Sequence, residues 1–200
     1  MIQRLINNLS KNVNIFIFLR RIIELDSYAL KKVIDAEIKN LNDMSRILDL
    51  GCGTGDFSPC FYNFHYIGID VEPEYIQYAK NTYNLDFRLM DGRRLRFGEE
   101  TFDCITIIGV LHHLCEKSCL EIFHELKRVI KPGGIIIIIE DVEIGSRWDI
   151  LGNIIRKLDV GNYIRTEEQW HKLISSNFNI LKNYRIRSFI PSYAVFVLSA

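Results

Sequence analysis

Apolar residues along this chain follow two different periods. Over residues 1–40 they recur at helical spacing: Ile2, Leu5, Ile6, Leu9, then Val13, Phe16, Ile17, and later Leu25, Leu30, Val33, Ile34 and Ile38. This predicts an N-terminal helical extension, with Asp26 or Ser27 as the cap of its second helix. From residue 46 the pattern changes to short apolar runs of the kind a buried parallel strand shows: 46–50, 66–70, 86–90, 102–108 and 135–139. The last of these is five consecutive isoleucines, which only a strand covered on both faces accommodates easily. Amphipathic stretches separate the runs. A brief helix or turn is expected over 56–61, a helix over 73–81 opened by Pro73, and a helix over 116–130 closed by Pro132-Gly133-Gly134. Thr166 and Gln169 have the spacing of a capping box at the start of another helix. Residues 179–188 and 192–199 alternate as two strands joined by a turn near Pro191.

Strands alternating with helices and ending in a hairpin predict an α/β doubly wound sheet. Ligands of such sheets bind beyond the carboxyl ends of the strands. The chemistry is therefore expected just after Leu50, Asp70, Met90, Ile108 and Ile139, and unusual residues cluster there. After the first strand comes Gly51-Cys52-Gly53-Thr54-Gly55-Asp56. A strand turning through Gly-x-Gly-x-Gly lets backbone approach a ligand that a Cβ would exclude. A dinucleotide fingerprint requires its third glycine at position 56. Asp56 stands there instead, an acid that repels a pyrophosphate and suits a ligand without one. Asp70 ends the second strand and is placed to accept hydrogen bonds from ribose hydroxyls, with Val71 beside it. Asp91-Gly92 ends the third strand and is placed to receive an adenine amine, although an Asp-Gly pair also serves as a plain turn. Gly109 ends the fourth strand and allows it to lie close to a ligand. His112 and His113 then fall at the mouth of the site.

These residues carry a resemblance. Ile-Leu-Asp-Leu-Gly-Cys-Gly-Thr-Gly (47–55), Tyr-Ile-Gly-Ile-Asp (66–70), Phe-Asp-Cys-Ile with Leu-His-His-Leu (102–114) and Leu-Lys-Arg-Val-Ile-Lys-Pro-Gly-Gly (126–134) resemble a class I S-adenosylmethionine-dependent methyltransferase of the small-molecule type. The resemblance covers about residues 45–141. It implies a seven-stranded, mostly parallel Rossmann-like sheet whose last strand is antiparallel, with S-adenosylmethionine as cofactor and S-adenosylhomocysteine as product. It also implies Asp49, Gly51 and Gly53 around the methionine moiety, Asp70 on the ribose and Asp91 near the adenine. Cys52, Val71, Gly92 and Gly109 complete the expected cofactor contacts. One departure is the short stretch between Gly55 and Tyr66, which points to a truncated first helix.

Composition adds limits. Hydrophobic residues at 48% and charged residues at 25% describe an ordinary globular chain, read here as one methyltransferase domain with a helical cap over 1–40 and an acceptor-side half over 142–200. The 25 basic and 25 acidic groups cancel, but unevenly: residues 41–110 carry 6 basic against 11 acidic groups. That excess suits a cationic ligand and disfavours nucleic acid as a partner. Cys52, Cys60, Cys104, Cys115 and Cys119 form no CxxC pair, which reads as free thiols in a cytoplasm. The spacing of His112, His113, Cys115, Cys119 and His124 matches no zinc pattern, so no metal is expected. The run Ile15–Leu19 is too short to span a bilayer. With Arg20-Arg21 beside it, a weak peripheral membrane contact is an alternative to packing on the sheet.

Methyl transfer needs alignment of the acceptor, exclusion of water and, for some acceptors, a base. His112 and His113 are the candidate bases, of which at most one is expected to face the pocket. Tyr163 and Arg165 are candidate acceptor contacts, Arg165 for a carboxylate or phosphate. Arg147, Trp148, Asp159 and Trp170 lie in the same stretch, and Glu140 and Asp141 end the isoleucine strand. The expected function is methylation of a small molecule. The alternatives are a catalytically silent subunit or regulator that binds the same cofactor and, less favoured, an RNA methyltransferase.

Overall fold

A computed structural model of the chain describes residues 28–142, 163, 165–187 and 192–199. The first N-terminal helix, Arg147, Trp148, Asp159 and the Pro191 turn lie outside the described residues. In order, the elements are α1 (Tyr28–Ile38), β1 (Arg46–Leu50), a 3₁₀ turn (Ser58–Phe61), β2 (His65–Asp70), α2 (Pro73–Thr82), β3 (Asp86–Leu89), β4 (Phe102–Ile108), a second 3₁₀ turn (Leu111–His113), α3 (Glu116–Val129), β5 (Ile130–Asp141), α4 (Glu167–Ser175), β6 (Asn179–Arg187) and β7 (Ser192–Ser199).

Seven strands form one sheet in the order β3-β2-β1-β4-β5-β7-β6. All pairings from β3 through β5 are parallel, and β7 is antiparallel to both its neighbours. The strand period of two sorts the side chains onto two faces. Leu48, Leu50, Ile105, Ile107, Ile136 and Ile138 pack with Ile122, Phe123 and Leu126 of α3 and Trp170 and Ile174 of α4. Ile47, Cys104, Ile108, Ile137 and Ile139 pack on the other face with Leu30, Ile34 and Ile38 of α1 and Ile76 and Ala79 of α2. The isoleucine run is thus divided alternately between two cores, which is why every one of its positions is apolar. The 3₁₀ turn at Ser58–Phe61 stands where a longer first helix was expected to be shortened. Thr166 caps α4 by the capping box the sequence signals.

One boundary differs from expectation. The strand predicted over 135–139 runs from Ile130 to Asp141, directly out of α3. Its pairing with β4 shifts register between Phe102 and Cys104. Pro132-Gly133-Gly134 forms that irregularity, with Gly133 at φ 77°. A bulge of this kind absorbs the extra residues without ending the strand.

The loop from β3 to β4 is fastened from below by α3. The Glu125 carboxylate accepts the Leu95 N–H at 2.7 Å, and the Arg128 guanidinium donates to Glu125 and to the carbonyls of Leu95 and Phe97. Arg128 beside it holds the Glu125 carboxyl below its ordinary range; burial opposes this and the Leu95 N–H supports it. A depressed carboxyl stabilises the fold fully above its unfolded value of 4.5 and loses that contribution as pH falls through the lower native value. The melting temperature of wild type should therefore fall with acid faster than that of Glu125→Gln below about pH 4.5; parallel curves would contradict the assignment.

Inside β2, Gly68 lies under the Tyr66 ring. A Cβ there would stand 2.5 Å from the Tyr66 hydroxyl and 2.9 Å from the Phe87 ring. Gly68→Ala should cost about 1–3 kcal/mol in urea unfolding, and an unchanged midpoint would contradict this packing.

Candidate functional site

The site is built from the loops that leave the carboxyl ends of β1, β2, β3, β4 and β5. Leaving β1, the chain takes left-handed conformations at Gly51, Gly53 and Gly55, with φ of 77°, 54° and 83°. The N–H groups of Gly51 and Cys52 both reach the Ile69 carbonyl. A Cβ at Gly53 would meet nothing within 4 Å, so this turn faces open space. A Cβ at Gly51 would fall 2.3 Å from Cγ2 of Val110, so the glycine turn packs directly on the turn that follows β4.

Asp70, partly exposed at the end of β2, holds that turn in place. One carboxylate oxygen accepts the Gly53 N–H and the other the Glu72 N–H, both at 2.9 Å. Each oxygen keeps a lone-pair direction for a further donor such as a ribose hydroxyl. Val71 beside it is 65% exposed, an apolar surface that an aromatic base could cover. The arrangement fits a nucleoside without phosphates: an acid for its diol, an apolar platform, and a Cβ-free turn over open space. Asp56 accepts from the Thr54 hydroxyl at 3.1 Å, at the position where a dinucleotide site requires glycine.

Two other acids are placed differently from the expectation. Asp49 is buried, and its carboxylate accepts from the Tyr66 hydroxyl at 2.9 Å and the Thr106 hydroxyl at 3.0 Å. Sheet register explains this, because Asp49 lies between Gly68 on β2 and Thr106 on β4. Asp49 thus braces the floor under the glycine turn. Asp91 is bound by its neighbour Arg93, which donates to both its oxygens from the side chain and to one from the main chain. That guanidinium holds the Asp91 carboxyl below its ordinary range. The cradle is therefore less negative than the tally of Asp49, Asp56, Asp70 and Asp91 implies. Gly92 is buried against Leu50, where a Cβ would come within 3.0 Å. Cys52 is buried too, and burial, followed by Asp49 and Asp70, pushes its thiol well above the ordinary range, so it lies here as a neutral thiol.

After β4 the chain turns at Gly109, φ 64°, whose N–H reaches the Ile139 carbonyl. The two histidines that follow separate. His112 is buried, with Nδ1 2.8 Å from a carboxylate oxygen of Glu140. His113 is exposed, and its ring lies 4.0 Å from that of His112 between centroids. Glu140 is fully buried and also accepts the N–H groups of Val110, Leu111 and His112. Its role was open in the sequence; an acid directly after five isoleucines was the available signal.

The acceptor-side candidates split as well. Tyr163 is exposed, and its N–H donates to the His112 carbonyl at 2.9 Å, which brings it to the histidine turn. Arg165, expected as a clamp for an acceptor anion, donates instead to the carbonyls of Leu111, Leu114 and Tyr163 and stacks over the Trp170 ring. The Leu111 carbonyl also accepts the Leu114 N–H at 3.0 Å, so the half-buried guanidinium joins a turn already bonded within itself. Among the described residues, no group of three or more His, Cys, Asp or Glu side chains converges to hold a metal ion. No described helix is long and apolar enough to cross a membrane.

Comparison with known proteins gives four findings. Residues 47–134 match the family described as a methyltransferase domain. Over 91 residues, 45% of this chain and 20% of the relative, the sequence is 35% identical to a human probable tRNA methyltransferase 9B. It is 26% identical over 125 residues, 56% of this chain and 48% of the relative, to a ubiquinone/menaquinone biosynthesis C-methyltransferase of Pseudomonas putida. This chain thus spans between a fifth and a half of the length of these two curated relatives. Among solved structures, human N-acetylserotonin methyltransferase in complex with its S-adenosylmethionine superposes with a TM-score of 0.70 at 20% identity, covering 96% of this chain and 57% of that one.

The two strand-end acids make a direct contrast. Asp70→Ala should weaken S-adenosylhomocysteine binding by about 1–3 kcal/mol, and Asp91→Ala by less, since Arg93 already occupies Asp91. Calorimetry on both variants checks this, and equal losses would contradict the geometry.

Proposed function

We propose that this chain, whose residues 47–134 match a methyltransferase domain, is a class I S-adenosylmethionine-dependent methyltransferase that methylates a small-molecule acceptor beside His113. One observation carries the reading: the glycine turn that faces open space packs, through Gly51 and Val110, on the turn that presents an exposed imidazole. S-adenosylmethionine supplies an already activated methyl carbon. The chain's own residues have the remaining tasks. Asp70 and Val71 hold the nucleoside end. Gly51 and Gly53 let the main chain approach the amino-acid end. His113, three residues beyond Val110, takes a proton from the acceptor, and Tyr163 walls the acceptor side.

His112 is not the base in this reading. Its Nδ1 faces Glu140 and its side chain is 4% exposed, which leaves little of it for an acceptor to reach. Supporting a small acceptor are the zero net charge and the acidic bias of residues 41–110, which offer little to a polyanion. RNA as acceptor is the second reading, favoured by the likeness to a tRNA methyltransferase over 45% of the chain. The five free cysteines support a reducing, cytoplasmic setting.

The experiment is to incubate the protein with methyl-labelled S-adenosylmethionine and a cell extract, then separate low-mass metabolites from RNA. Label should appear among the metabolites, and should fall by about 10²–10⁴-fold with His113→Ala while cofactor binding persists. Label in RNA alone would overturn the acceptor class. Full activity of His113→Ala would remove the base.

A further inference from the structure

Glu140 stands apart among the acids of the described residues. It is fully buried at the end of β5, yet it is reached by four donors from a different strand's loop. Oε1 accepts the N–H of Val110 at 3.0 Å and of Leu111 at 2.7 Å. Oε2 accepts the N–H of His112 at 3.3 Å and lies 2.8 Å from Nδ1 of the same residue. A buried carboxylate is costly unless its lone pairs are satisfied, and here they are. A methyltransferase that needed only to end a strand has cheaper ways of doing so, and a glutamine would turn an N–H pair toward main-chain N–H groups.

We propose that Glu140 is a positioning residue for methyl transfer, fixing the tautomer of His112 and, through the 110–112 main chain, the place of His113. This rests on the transferase reading above. The argument is one of donors and acceptors. A carboxylate already filled by three N–H groups has lone pairs rather than a proton to offer the ring. Nδ1 of His112 must therefore be the donor, and in the neutral ring Nε2 carries the lone pair. The ring is then held by Glu140 at Nδ1 within a buried setting. His113 packs on the outer side of that ring. Around this pair are the Cys119 thiol, which lies near the Leu111 carbonyl, and the Arg165 guanidinium, which donates to the same carbonyl. Glu140 itself cannot drift, because β5 is bonded to β7 at Ala194 opposite it and the Trp170 indole donates to the next carbonyl, that of Asp141. A turn fixed this firmly places the exposed imidazole within the small tolerance that in-line transfer demands.

Three measurements on the whole chain test this. Nitrogen-15 spectra of the wild-type histidines should show His112 protonated at Nδ1 and bare at Nε2 near neutral pH; an Nε2-protonated His112 overturns the proposal. Glu140→Gln, compared with the conservative Glu140→Asp, should lose labelled product in the extract assay by roughly tenfold to a hundredfold, well beyond its loss of S-adenosylhomocysteine affinity, with Glu140→Asp recovering part of it. A folded Glu140→Gln with wild-type product formation overturns the proposal and leaves Glu140 a structural cap. Should Glu140→Gln fail to fold, Glu140→Asp carries the same comparison of product against affinity. Wild type that binds no S-adenosylhomocysteine defeats the transferase reading itself, a failure that the tautomer measurement separates from failure of the Glu140 assignment.

Discussion

The site depends on one repeated interaction: a carboxylate at the end of one parallel strand accepts main-chain N–H groups from the loop of another. Asp70 on β2 holds Gly53 of the β1 turn. Glu140 on β5 holds Val110, Leu111 and His112 of the β4 turn. Parallel strands bring their carboxyl ends to one edge, and the loops leaving them carry N–H groups that no ladder satisfies. An acid at the neighbouring strand end meets that need and fixes the loop in the same act. Gly51 against Val110 then joins the two held turns into one surface.

The same rule separates a partly exposed acid from those turned inward or toward a neighbour. Asp49 belongs to the interior, because register sets it between Thr106 and Gly68, and two hydroxyls donate to it there. Gly68 is needed so that the Tyr66 ring can cross β2 to reach it. Asp91 is turned to Arg93. Asp70 remains partly exposed, with its loop-holding bonds using one direction on each oxygen. The chemistry is thus shared out by geometry, and the number of acids in the sequence overstates the charge that a ligand meets.

Most of the framework was legible from local pattern. The apolar runs marked five strands of the parallel core, Thr166 with Gln169 marked a helix start, and Asp56 in place of a third glycine separated this turn from a dinucleotide fold. What was not legible depends on residues distant in the chain. Nothing near Tyr66 announces its bond to Asp49, 17 residues earlier. Glu140 and the histidine turn are 28 residues apart. His112 and His113 are alike in the sequence, and only the turn geometry sends one inward and one out. Arg165 read as an anion clamp because its carbonyl partners at Leu111 and Leu114 lie more than 50 residues away. The continuous run from α3 into β5 was hidden by Pro132-Gly133-Gly134, which more often ends an element than bulges within one.

The central claim is that these held turns form a receptacle for a cationic nucleoside without phosphates. Paired calorimetric titrations of the wild-type chain with S-adenosylmethionine and with NAD test it most directly. The account predicts saturable, micromolar binding of S-adenosylmethionine and no measurable binding of NAD, whose pyrophosphate would meet Asp56. Comparable affinity for the two, or heat from NAD alone, would contradict it.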